Sequence, residues 1–450
     1  MKYLITGCAV LLLSGCASQY QYEAPSVAAE TMPTYALAEF SANQWLSFGS
    51  PDLEALLKTA FSHNWSIAVA AERVRLARLA IETEEANQGI STTATLTAGS
   101  TQSANTNDLS NFTSSDASSL SFSAKYEWDL WGKLQAQMDQ TLLSAQTSEW
   151  DLEAARLTVA ASIVKQYIAY LTLQERLLLS HKNLRSAKES YELYQAQFEE
   201  GLVSQIDLID QQETILNLEE DIETYLIDRQ DQMRALALLT GQNDWKALDT
   251  EFRLSDLTIP DVALNQPAEL IRQRPDLKAA EASVKAAFLS KVETELDRWP
   301  NLSISMSLRP SDLYDLAEAW TLSLVESISL SLYDNGDNKR AVKKADINET
   351  ITRINYQNTV ISALHEVQDT LSTYQQSLIG YRYAQIYYQN QVTKTQLTEY
   401  EWEEGVSDKS DLISAQRSLY NSEASLVTAR QSILNAVIAI YQANGAPPEL

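Results

Sequence analysis

The sequence predicts a mixed protein of two structural repeats, each pairing long coiled-coil helices with two membrane-type β-strands. Three observations carry this. Proline is absent from residues 52–259 and 311–446, and the 450 residues hold only 12 glycines, a composition that suits long unbroken helices. Four segments near ten residues long alternate apolar and polar side chains with period two, the signature of a barrel strand with one face to lipid and one to a lumen. "QFEEGLVSQIDLIDQQ", starting at Gln197, is echoed 204 residues later by "EWEEGVSDKSDLISAQ", starting at Glu401.

The N-terminus reads as a processing signal. Lys2 is followed by a mostly apolar run, 3–13, too short to span a bilayer and suited to a signal peptide. Leu13, Ser14, Gly15 and Cys16 then match the bacterial lipobox, which predicts removal of 1–15 and lipidation of Cys16. An ordinary signal peptide with an incidental cysteine is the alternative. The second cysteine, Cys8, falls in the removed part, so the mature chain folds without an internal disulfide. Ala17 and Ser18 carry no aspartate after the cysteine, which in lipoprotein sorting directs the chain to the outer membrane. Residues 16–50 are expected as an extended lipidated segment.

Repeat 1 covers 51–245. A helix around Glu72 precedes a hairpin at 90–131, in which Leu120, Phe122, Ala124, Tyr126, Trp128 and Leu130 alternate with polar neighbours. The Ser/Asn/Thr-rich stretch 102–119 is expected as its loop. A helix over 133–200 would run about 100 Å at 1.5 Å per residue, so the molecule is expected to be elongated. Its seam steps through Leu184, Ala187, Tyr191, Tyr194 and Phe198, and resumes after a turn near 201 at Ile215, Leu218, Ile222 and Tyr225. A linker, 246–266, leads to repeat 2 at 267–443, with a hairpin at 301–333 and a turn near 405. Residues 444–450 form a tail. Gly132 and Gly336 are also 204 apart, each expected to close the second strand of its hairpin. Repetition on this scale marks a duplicated unit.

A soluble sheet with one wet face gives the same alternation; the exported N-terminus favours the membrane. Trp128, Trp131, Trp299, Trp320 and Tyr333 near the strand ends suit an interfacial girdle. Four strands cannot close a barrel, and an open edge cannot stand in lipid, so other chains must complete it. Three copies give twelve strands; counting alone also permits two or four. The net charge of −26 argues against nucleic acid and anionic headgroups and suits a cation-attracting lumen. His63, His181 and His365 are scattered, and no H-x-x-x-H, C-x-x-C, G-x-S-x-G or P-loop motif occurs. The pairs Glu199–Glu200 and Glu403–Glu404 read as solvated faces. No enzyme, cofactor or metal site is expected. A structural coiled-coil lipoprotein and a lipoprotein hydrolase are the rival classes.

"RPDLKAAEASVKAA" from Arg274, "WDLWGK" from Trp128, the hairpin end at Gly336, the lipobox and both turns together resemble the outer-membrane factor (TolC-like) family, in its lipoprotein branch serving resistance-nodulation-division efflux systems. The resemblance spans nearly the whole mature chain. It implies a homotrimer with a 12-stranded outer-membrane barrel over a periplasmic α-helical barrel, a periplasmic adaptor and an inner-membrane pump as partners, and an exit path for drugs or other small solutes. Protein secretion through a type I system is the related alternative. It implies that Gly201, Leu202, Gly405 and Val406 dock the adaptor, and that Asp207, Asp210 and Asp411 line the periplasmic aperture, with Lys409 as a nearby cation. The chain departs from the family at Gln197 and Glu401, where arginine is usual, and at Ser410 and Ser414.

Overall fold

The computed structural model describes residues 22, 45–105, 108–243, 252–260, 262, 273–310 and 319–445, with the backbone alone over 101–118. Cys16, the signal at 1–15 and parts of the 16–50 segment, the 246–266 linker and the C-terminal tail lie outside these residues. In chain order the elements are α1 (Pro51–His63), α2 (Trp65–Asn87), β1 (Ser91–Asn105), β2 (Asp108–Trp128), α3 (Lys133–Glu199), α4 (Gln205–Leu239), α5 (Pro275–Leu296), β3 (Asn301–Pro310), β4 (Trp320–Ser329), α6 (Asp337–Glu403) and α7 (Lys409–Asn444). They form two compact units, and each unit takes residues from both sequence repeats.

The first unit holds an antiparallel sheet in the order β1-β2-β3-β4. The 102–119 loop expected from composition does not form: β1 and β2 pair through it, to Asn105 opposite Asp108. Serine and threonine there continue the pairing, which no proline interrupts; composition suggested a loop, but threonine also suits strands. The second hairpin is shorter than expected, because β4 ends at Ser329 and Leu330–Tyr333 lie outside it. Gly132 and Gly336 do not close strands. Both adopt positive φ immediately before α3 and α6, whose first turns accept them as entry points. At the base of the sheet the Trp131 indole donates to the Pro300 carbonyl at 2.8 Å and its ring lies 4.9 Å from that of Trp299, tying the end of β2 to the start of β3. Below it, Lys291 binds Asp346 (2.6 Å) and Glu349 (3.0 Å), and Arg353 binds Glu349 (2.9 Å). The Tyr22 ring meets Phe288 edge-on at 5.6 Å.

The second unit has the larger core, in which Trp45, Phe48, Leu57, Ile163, Tyr167, Ile168, Val437 and Tyr441 are buried. α7 is long and apolar enough to cross a membrane, but its Leu434, Val437, Ile438 and Tyr441 are buried in this core. Asn64 joins three helix ends: its amide donates to the Leu239 carbonyl at the end of α4, and its oxygen caps the first turn of α2. Arg430 donates to the carbonyls of Leu254, Ser255 and Leu257, fixing the short 3-10 turn Leu254–Asp256 against α7. The helix seam is more polar than expected. Over 183–198 of α3 the buried positions are Asn183, Ser186, Ala187 and Ser190; Leu184, Tyr191 and Tyr194 are half-buried and Phe198 is exposed. Small polar side chains permit close helix approach, and Asn183–Asn421 (3.3 Å) and Ser190–Gln211 (3.1 Å) are hydrogen-bonded across it.

"RPDLKAAE" forms a clamp. Pro275 opens α5, where its missing N–H costs nothing. The Arg274 guanidinium meets Asp276 with two hydrogen bonds (3.0 and 2.8 Å), Glu366 of α6 at 2.7 Å and the Ala443 carbonyl near the end of α7 at 2.9 Å. Arg274→Ala is expected to destabilise by about 2–3 kcal/mol, because both carboxylates lose a charged partner and a carbonyl is left bare. Arg274→Lys is expected to recover under half of that, since lysine lacks the planar fork; thermal unfolding of the purified protein measures both.

Glu349 generates a second expectation. Burial pushes its carboxyl up, but bonds from Arg353 and Lys291 outweigh this and hold it below the usual range. A depressed folded-state pKa gives stability that is present above the unfolded value of about 4.3 and is lost as pH falls through the folded value. Glu349→Gln is therefore expected to lower the melting temperature at pH 7 and to flatten its decline below about pH 4.

Candidate functional site

Two turns in the second unit are built alike. α3, ending at Glu199, and α6, ending at Glu403, run into turns at Gly201 and Gly405, both with φ of 71°. The Gly201 N–H donates to Phe198 O and the Leu202 N–H to Gln197 O; Gly405 and Val406 repeat this with Trp402 and Glu401. This is the Schellman motif, and it requires a residue that tolerates the left-handed region. A Cβ on either glycine would meet nothing within 4 Å, so backbone conformation, not space, demands glycine. Gln197 and Glu401, at the positions where the resemblance implies arginine, contribute their carbonyls to the turn.

Three residues past each glycine the next helix is capped. Ser204 and Asp207 form a reciprocal box: the Asp207 carboxylate accepts the Ser204 N–H (2.8 Å) and hydroxyl (2.7 Å), and Ser204 Oγ accepts the Asp207 N–H. The Ser204 hydroxyl and N–H hold the Asp207 carboxyl below its ordinary range. At the second turn the Asp411 carboxylate accepts the Asp408 N–H at 3.3 Å. Asp210 lies one turn further along α4 and is exposed. Lys409 opens α7 and, among the described residues, makes no ion pair. Leu202 and Val406 are 74% and 77% exposed, and Ile206, Ile209 and Trp402 extend this apolar surface. Ile206 and Trp402 escaped the sequence reading, although apolar residues inside an acidic turn were the available signal.

In the first unit the sheet has two unlike faces. One carries Leu96, Phe122, Trp128, Leu322, Leu324 and Ile328, all exposed. The other carries Ser and Thr at Thr93, Thr95, Ser121, Ser123, Ser303, Ser305, Ser307 and Ser323, with Ser303 and Ser327 hydroxyls 2.8 Å apart. β1 and β4 are both open edges. Among the described residues no group of three or more His, Cys, Asp or Glu could hold a metal.

The model of the outer membrane efflux protein family matches residues 56–242 and 267–446. The chain is 26% identical over 432 residues to the pyoverdine export outer membrane protein OpmQ of Pseudomonas putida, covering 92% of this chain and 90% of that one. It is 25% identical over 460 residues to the antibiotic efflux pump outer membrane protein ArpC of Pseudomonas putida, covering 96% and 93%. The open-state MtrE outer membrane channel of Neisseria gonorrhoeae superposes with a TM-score of 0.82 at 21% identity, over 96% of this chain and 98% of that one. The helical hairpins, the four-stranded sheet and the matched residues agree: this chain belongs to the outer membrane efflux protein family.

Proposed function

We propose that the chain forms, as a homotrimer, the outer-membrane exit channel of a tripartite efflux system that receives drugs or other small solutes from a periplasmic adaptor and an inner-membrane resistance-nodulation-division pump. The observation that carries this is the open four-stranded sheet with one apolar and one hydroxyl-lined face. Three copies joined β4 to β1 give twelve strands, leave no edge in lipid and enclose a polar lumen. Family membership and the names of the relatives support export of small solutes over protein secretion. The outer membrane holds the barrel, Cys16 adds a lipid anchor, and the helices occupy the periplasm. Gly201, Leu202, Gly405 and Val406 dock the adaptor: the Schellman turns present exposed apolar side chains on a rigid backbone. Asp207, Asp210 and Asp411 line the aperture, with Lys409 as a nearby cation in sequence.

Planar-bilayer recording of the purified protein tests the channel, and strand parity tests the barrel. Lys at Phe122 or Leu324 is expected to impair assembly by about 2–4 kcal/mol where the site lies near the bilayer midplane, and Lys at Ser123 or Ser323 to be tolerated. Absence of conductance together with equal tolerance on both faces would replace the channel with a soluble coiled-coil lipoprotein.

The aperture is tested by the triple variant Asp207→Asn, Asp210→Asn, Asp411→Asn. Its single-channel reversal potential is expected to shift towards weaker cation selectivity, with weaker block by multivalent cations. An unchanged reversal potential and unchanged block would reduce these aspartates to caps of α4 and α7.

A further inference from the structure

Glu326 breaks the apolar face of β4. Its cross-strand neighbour is Ile304, and Ile304 pairs with Tyr126 on β2. Glu326 is exposed, stands between Leu324 and Ile328 on the same face, and has no ion pair or hydrogen bond among the described residues. Lys125 and Arg309 have the opposite parity and belong to the hydroxyl-lined face. A neighbouring chain offers no remedy, because β1, "STTATLTAGSTQSAN", contains no charged residue. A lone carboxylate in a lipid-facing belt is costly unless a cation meets it.

The row containing Glu326, Ile304 and Tyr126 lies one row from the base of the sheet, where Trp128, Leu302 and Ile328 follow. On its other side the apolar face is hollowed. Thr92, Ala94 and Ala124 are small among large neighbours, and with Phe122, Met306 and Leu308, and with Thr93 and Ser123 of the opposite parity, they line a hollow of about 490 Å³. From strand spacing and rise, Glu326 stands roughly 8 Å from Met306 and 12 Å from Ala124. An acidic group at the base edge, then an apolar hollow towards the middle of the sheet, is the order in which a phospholipid presents its headgroup and acyl chain.

We propose that this face binds a phospholipid of the periplasmic leaflet that carries a primary ammonium headgroup, the ammonium on Glu326 and an acyl chain in the hollow over Ala94 and Ala124. The proposal rests on the barrel reading above, with the apolar face in lipid. Charge complementarity selects the headgroup: the Glu326 charge is negative, as is that of Asp116, which has the same parity further along β2, so an anionic headgroup is repelled. The Tyr126 ring, half-exposed one strand beyond Ile304, suits the interfacial level at which headgroups sit.

The test uses native mass spectrometry of the full-length oligomer with an equimolar mixture of phosphatidylethanolamine, phosphatidylcholine and phosphatidylglycerol of matched chains. Phosphatidylethanolamine is expected to be retained about fivefold over phosphatidylcholine, the scale of one accessible ion pair, and to remain so in EDTA. Glu326→Gln is expected to bring the ratio to about one while lipids are still retained, whereas Ala124→Leu fills the hollow and lowers retention of all three. Equal retention by the wild type, an undiminished ratio in Glu326→Gln, or a preference abolished by EDTA (a bridging divalent cation) would overturn the site. Planar-bilayer insertion of the wild type separates the two levels. A protein that conducts without headgroup preference loses only this site, and one that does not insert loses the barrel and the site with it.

Discussion

A backbone N–H or C=O placed in hydrocarbon must find a partner within the protein, and this chain leaves two rows of them open, on β1 and β4. Much of the molecule becomes intelligible from that constraint. A sheet of four strands is stable in lipid only as part of a closed ring, so the fold of one chain is a fraction of a structure. The two faces then acquire opposite solvents, which explains why serine and threonine alternate with leucine, phenylalanine and tryptophan along most of the strands. It also explains why apolar side chains such as Ile351, Ile354, Tyr383, Ile386 and Tyr387 stand exposed along α6 of a single chain. They await neighbours that the sheet edges already require.

The helical part meets a different demand. Long helices that pack side by side must hold register over many turns, and purely apolar seams do so weakly. Here Asn183 with Asn421 and Ser190 with Gln211 place hydrogen bonds inside the seam, where a slip of one residue would leave buried polar atoms unpaired. The turns are fixed as firmly: a Schellman motif stops one helix and a capping aspartate starts the next. Asp207 and Asp411 thus have a structural task that accompanies any role at an aperture.

What the sequence disclosed, and what it hid, follows from the range of the interactions. Period two revealed the strands, and the paired Gly201 and Gly405 revealed the turns, because both are local. The Ser204-x-x-Asp207 spacing is local too, and a capping box could have been read from it. Residues 102–119 misled because serine and threonine are common to polar strands and to loops, and only the partner strand decides between them. The tryptophans of the sheet base were legible as residues near the strand ends, but the bond from Trp131 to Pro300 was not. Arg274 and Arg430 bind backbone carbonyls far away in sequence, and a carbonyl carries no residue-type signature at all. The seam at Leu184, Ala187, Tyr191 and Tyr194 was legible from hydrophobicity, but its buried polar members Asn183, Ser186 and Ser190 were not, because closeness of approach is set by side-chain size.

The Arg274 clamp also bears on the order of events during synthesis and export. Its carbonyl partner, Ala443, lies 169 residues downstream, within the last few residues of α7. The second unit is assembled from three separate stretches of chain, so many of its contacts span large sequence distances, the topology that slows folding. Until the final helix has crossed the inner membrane, Arg274 has no carbonyl to bind and the core around Tyr441 lacks its last wall. This unit therefore remains unfinished, and open to proteases and chaperones, until α7 has arrived.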